Sequence, residues 1–164
     1  MSEEKETEKT ASQRLYEILK DIPESPDLAT IDSWKEKYGD IYASGFSEQE
    51  VFIFRSLSRA EYQAMQVSQQ VKALRAQQKE QDIMSNESLN EADRWTHIES
   101  SVKDNVSEGL KNEEEVAEKC LLWPKKTSEE LSKKAGTINV LFEQIMQNSN
   151  FLTPQQAAAL VIKL

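Results

Sequence analysis

The sequence predicts a mainly α protein with one small β-hairpin (α+β), built as a helical core that carries an extended helical arm. Three observations predict it. Apolar residues recur at three- and four-residue steps through most of the chain, Ser, Thr, Asp or Asn caps stand ahead of those runs, and a single β-branched and aromatic run, "VFIFRSL", interrupts them.

The elements follow in order. Residues 1–10, "MSEEKETEKT", hold no large apolar side chain after Met1, so nothing offsets the entropy of ordering them and an acidic solvated tail is expected. Residues 11–31 open with Leu15, Ile18, Leu19 and Ile22 at helical spacing, and the two prolines of "PESPD" stop the pattern, which predicts a short helix and a linker. Residues 32–74 are expected to give a helix, a hairpin and a second helix. Asp32 is the expected cap of the first, with Trp34 and Tyr38 on one face and Gly39 at its C-terminus. "DIYASGF" and "VFIFRSL" read as two strands joined through the polar "SEQE". Alternation puts Val51, Ile53 and Arg55 on one face and Phe52, Phe54 and Ser56 on the other. Both faces are rich, so the strand is either sandwiched or offers an apolar face to a partner.

Ser58 and Glu61 have capping-box spacing, and Ala60, Ala64, Val67, Val71 and Leu74 then repeat as the seam of a helix packed on another helix. Residues 75–111 are charged and Gln-rich. There Ser88 with Glu91 suggests a second box, and Trp95, Ile98, Val102, Val106 and Leu110 share a face; an antiparallel arm and one long interrupted helix both fit. Residues 112–164 are expected to complete the core: a helix boxed by Asn112 and Glu115, burying Val116, Cys120 and Leu121 and running to Pro124; a helix capped by Thr137 with Ile138, Leu141, Phe142, Ile145 and Met146 inward; and a last one opened by Thr153, Pro154 and Gln156. The apolar final residues are expected to dock.

Composition narrows the work this fold does. With 38% hydrophobic and 30% charged residues and a formal net charge of −9, the chain has a modest core and a surface that repels phosphate backbones and anionic headgroups, so neither nucleic acid nor membrane is expected as a partner. One cysteine excludes an internal disulfide and favours a reducing cytosol, and the acidic N-terminus lacks the basic-then-apolar order of a signal peptide. Catalytic and metal sites are not expected, and no cofactor. The glutamates are interleaved with lysine and glutamine instead of facing apolar pockets, His97 lies off the apolar face of its helix without ligand partners at helical spacing, and Cys120 reads as a core thiol.

Four segments in this order, "WKEKYGDIYA", "FIFRSLSRAEYQAM", "EEEVAEKCLLWP" and "AGTINVLFEQIMQNSNF", resemble a group of small proteins encoded near the tape-measure and baseplate genes of contractile-tailed bacteriophages, described as tail assembly chaperones or baseplate hub assembly proteins. The shared signature is Phe52-Ile53-Phe54-Arg55-x-Leu57-x-Arg59-x-Glu61-Tyr62, then Cys120-Leu121-Leu122-Trp123-Pro124, then a helix led by Gly136. The stretch from Met65 to Asn112 is longer than in that pattern, as an arm reaching another subunit would be.

The resemblance implies a non-enzymatic factor that binds other phage tail or baseplate proteins, acting in the host cytoplasm during assembly. A structural baseplate or neck subunit retained in the virion is the alternative, and a regulator that binds a host protein a further one. A homo-oligomer stays open. The residues expected to bind a partner or to hold the structure are Phe52, Phe54, Arg55, Arg59, Glu61, Tyr62, Trp123, Leu141, Phe142 and Ile145. At least one of Arg55 and Arg59 is expected to pair with a carboxylate and lock the hairpin to the helix.

Overall fold

A computed structural model of the protein describes residues 9–47 and 50–151. Most of the acidic tail, the middle of the hairpin connection and the helix expected from Thr153 lie outside the described residues. Within them the elements are α1 (Ala11–Leu19), α2 (Leu28–Tyr38), β1 (Ile41–Ser47), β2 (Glu50–Arg55), α3 (Arg59–Ser85), α4 (Glu91–Cys120), β3 (Leu121–Trp123), α5 (Ser128–Leu131) and α6 (Ala135–Asn148). The mainly helical class with a small antiparallel sheet is therefore correct, but the sheet has three strands, in the order β1-β2-β3.

The third strand is a correction. Leu121 was expected on the buried face of a helix running to Pro124, whereas α4 stops at Cys120 and Leu121–Trp123 pairs antiparallel with β2, Ile53 opposite Trp123 and Phe54 opposite Leu121. A short apolar run fits a helix face or a strand equally well. The open edge of β2 offers the backbone partners that decide the case.

β2 is thus the central strand, and its two faces are both covered. Phe52 and Phe54 point into a core with Val116, Ala117 and Cys120 of α4 and Ile138, Leu141 and Ile145 of α6, closed from the side by Leu131 of α5. Ile53 and Val51 point the other way, onto Leu19 of α1, Ile31, Trp34 and Tyr38 of α2 and Leu122 of β3. Two thin helical layers flank one sheet. On the first face the Tyr42 ring stacks on Phe54 at 5.7 Å and Phe46 meets Phe52 edge-on at 4.9 Å, the cross-strand pairs that hold register in a hairpin. Each fully buried aromatic or aliphatic side chain stabilises the core by about 1.5–3 kcal/mol.

Caps differ from expectation at several helices. Asp27, not Asp32, caps α2, its carboxylate accepting from Thr30 N at 2.8 Å; Gly39 does end that helix, at φ 79°. Asn90, not Ser88, caps α4. The box expected at Asn112 and Glu115 does not form, because α4 passes through those residues unbroken. α6 begins at Ala135 without a side-chain cap, so Thr137 lies inside it and is buried. Two boxes went unforeseen, Thr10 with Gln13 on α1 and Thr127 with Glu130 on α5.

Residues 59–120 form the arm as an antiparallel helical hairpin. Lys72 pairs with Glu108 at 2.8 Å and Lys79 with Asp104 at 3.3 Å, and at the tip Arg94 Nη2 donates to Asn86 O at 3.0 Å. The groove between the two helices is lined by Gln69, Lys72, Ala73, Ala76 and Lys79 on one side and by Ser101, Asn105, Glu108, Gly109 and Asn112 on the other. Small and polar residues make this seam. Of the expected seam, Ala64 lines the gap toward Glu115, Val116 and Lys119 at the base of the arm, whereas Val67, Val71 and Leu74 are exposed and, at 100° per residue, lie opposite the Gln69, Ala73 and Ala76 side that faces α4.

Candidate functional site

The join between sheet and arm is the most heavily bonded place among the described residues. Only Ser56, Leu57 and Ser58 separate β2 from α3. The capping box forms as expected, Glu61 N donating to Ser58 Oγ at 3.2 Å and Ser58 N to Glu61 Oε2 at 2.9 Å. Arg55 Nη1 and Nη2 reach the two oxygens of the same carboxylate at 2.9 and 2.8 Å, a bidentate fork. Nη1 also donates to Ser56 O at 3.1 Å, Nη2 to Lys119 O at 3.3 Å, and the guanidinium lies 5.1 Å over the Tyr38 ring. One side chain therefore ties β2 to the start of α3, the end of α4 and α2.

The charges answer to that contact. The Arg55 fork holds the Glu61 carboxyl at about 2, well under its ordinary value, against the opposing effect of burial. Arg55 is raised by the same hydrogen bonds. Beside them burial pushes the Cys120 thiol up to about 11, so it is protonated near neutral pH.

α6 is fastened to the same join. Leu57 N donates to Ser149 Oγ at 2.8 Å. Asn150 then takes φ 65°, with Phe151 N donating to Met146 O and Asn150 N to Gln147 O, the two bonds of a Schellman stop. This turn sets Phe151 on the Tyr62 ring at 4.4 Å.

The ten residues singled out from sequence are accordingly distributed as follows. Phe52, Phe54, Leu141 and Ile145 are core, and Phe142 packs at its margin. Arg55, Glu61 and Tyr62 build the join. Trp123 is half-buried on β3, its indole N–H donating to Glu24 O at 3.0 Å across the α1–α2 connection, where Glu24 has φ 59°. Arg59 is exposed and makes no ion pair among the described residues. None of the buried aromatics offers a face to a partner.

What does offer one lies on the arm. No residue of α3 is buried, and Val67, Val71 and Leu74 are 42–66% exposed on its outer side. Trp95, Val102, Val106 and Leu110 of α4 are 49–61% exposed. The sequence contained both runs; what it lacked was the outcome that polar residues, through Lys72–Glu108 and Lys79–Asp104, would take the contact between the helices. Their matching charges were the available signal. His97 is exposed beside the second run, and no group of three metal-ligating side chains gathers among the described residues. No described helix is long and apolar enough to cross a membrane. Comparison with protein-family models, with curated proteins and with solved structures finds no match.

Proposed function

We propose that the chain is a non-enzymatic protein-binding factor in the assembly of contractile phage tails, one that holds a helical tail component, such as the tape-measure protein, against the outer face of α3. The observation that supports this reading is the apolar stripe of Val67, Val71 and Leu74 standing in solvent on a helix without a buried residue. Such a stripe at three- and four-residue steps is what a helix-in-groove or helix-on-helix partner requires. The net charge of −9 keeps such a complex soluble.

Co-expression tests it. The unaltered chain is expected to keep a co-expressed tape-measure protein soluble, and the Val67→Glu, Val71→Glu double variant to lose that capture at unchanged helicity. Mass spectrometry of purified virions tests the alternative: recovery at stoichiometric copy number would make the chain a structural baseplate or neck subunit instead. Co-purification of a host protein from infected cells in place of tail proteins would favour a regulator.

A further inference from the structure

Leu110 apart, the apolar stripe of α4, in which Ile98 is half-buried and Trp95, Val102 and Val106 are exposed, differs from that of α3 in being self-complementary. Trp95, Val102 and Val106 fall within about 40° of one another on the helix. Reading outward from Val102, apolar or small positions follow at the same steps in both directions: Ile98 then Trp95 toward the N-terminus, Val106 then Gly109 toward the C-terminus. The largest side chain and the smallest residue are therefore equidistant from the centre. Gly109 stands at the outer rim of the groove toward α3; it is exposed, and a Cβ built there meets nothing within 4 Å, so the helix is open at that point. A glycine in a helix interior otherwise costs stability.

We infer that α4 pairs antiparallel with α4 of a second copy about a two-fold axis at Val102, so that Trp95 of each copy seats over Gly109 of the other. Val102 then meets its own counterpart, and Ile98 meets Val106. The same axis brings Glu99 of one copy alongside Lys103 of the other, twice, on one flank of the pair. These two side chains are now joined within one helix at 3.0 Å and are both largely exposed, so they are free to exchange partners. Isologous pairing of this kind needs a patch complementary to itself, which a palindromic stripe supplies. The pairing is expected to be weak, because the face is short and two copies of a protein with a net charge of −9 repel. The outer face of α3 points away from α4 and stays open in the dimer, so this inference does not rest on what α3 holds.

Sedimentation velocity on the full chain tests it, with a disulfide-trapping arm. The unaltered chain is expected to pass from monomer to dimer as concentration rises, and Val102→Glu, which sets two carboxylates face to face at the axis, to raise the dissociation constant at least about tenfold with helicity and melting temperature retained. In a Cys120→Ser background, Val102→Cys is expected to cross-link into a covalent dimer under air, and Ser107→Cys, on the far side of the helix, is not. A monomer at every concentration, or cross-linking at Ser107 equal to that at Val102, would overturn the pairing. Val102→Glu that abolishes the dimer while tail-component capture persists supports it and leaves the α3 reading intact.

Discussion

Arg55 connects more of the molecule than any other described side chain, and its substitution separates two neighbouring arginines of similar appearance. Arg55→Ala leaves the Glu61 carboxylate half-buried without its fork and releases Lys119 O, so a loss of about 2–3 kcal/mol is expected in urea unfolding. Arg59→Ala is expected to stay within about 0.5 kcal/mol, as for a plain surface site. The pair also sets an acid limit. Glu61 is held at about 2 when folded against an ordinary 4.5, so its contribution is complete above about pH 4.5 and is lost as pH falls toward 2. Glu61→Gln should flatten that part of the stability-versus-pH curve. Asn150 gives a second residue-scale test: its φ of 65° is tolerated by asparagine and better by glycine, so Asn150→Ala is expected to lose about 1 kcal/mol and Asn150→Gly to lose nothing.

At the scale of elements, legibility depended on whether a helix signal was local. The α3 start was readable because Ser58 and Glu61 satisfy each other's backbone groups without outside help. The supposed boxes at Ser88 and at Asn112 had the same spacing, yet Asn90 captured the first start and α4 ran through the second, since nothing in four residues reports what the neighbouring turns do. β3 was hidden for a stronger reason. Leu121 continues the apolar periodicity of Val116, Ala117 and Cys120 on α4, and only the unfilled edge of β2, a feature of tertiary structure, turns it and the residues after it into a strand. The arm interface was misplaced by the ordinary preference for apolar seams; here Ser101, 1% exposed, and Ala76 bring the helices close while the valines face out. Ser101→Phe should therefore pry α3 from α4, reducing helical circular dichroism by an amount that Ser107→Phe does not.

Across the whole molecule, apolar burial is concentrated around β2, whereas α3 contains no buried residue and α4 buries only Ser101 before Val116. Cooperative stability should divide accordingly. Hydrogen exchange is expected to protect amides of residues 52–54, 116–120 and 138–145 up to global unfolding, while those of residues 70–105 exchange through opening of the arm alone. Uniform protection across both regions would contradict this division. Phe54→Ala, in contrast, removes a ring common to the sheet and the α4–α6 layer and is expected to cost about 3–5 kcal/mol, measurable as a lower urea midpoint.

The three-residue join between β2 and α3 has a mechanical consequence. A helix of 27 residues extends about 40 Å, so a tilt of about 5° where it leaves the sheet swings its far end by roughly 3.5 Å. The fork between Arg55 and Glu61 stands at that pivot. Whatever grips the tip works through a long lever, and on the α3 side that lever bears on the Arg55 fork, the Ser58 capping box and the Leu57–Ser149 bond.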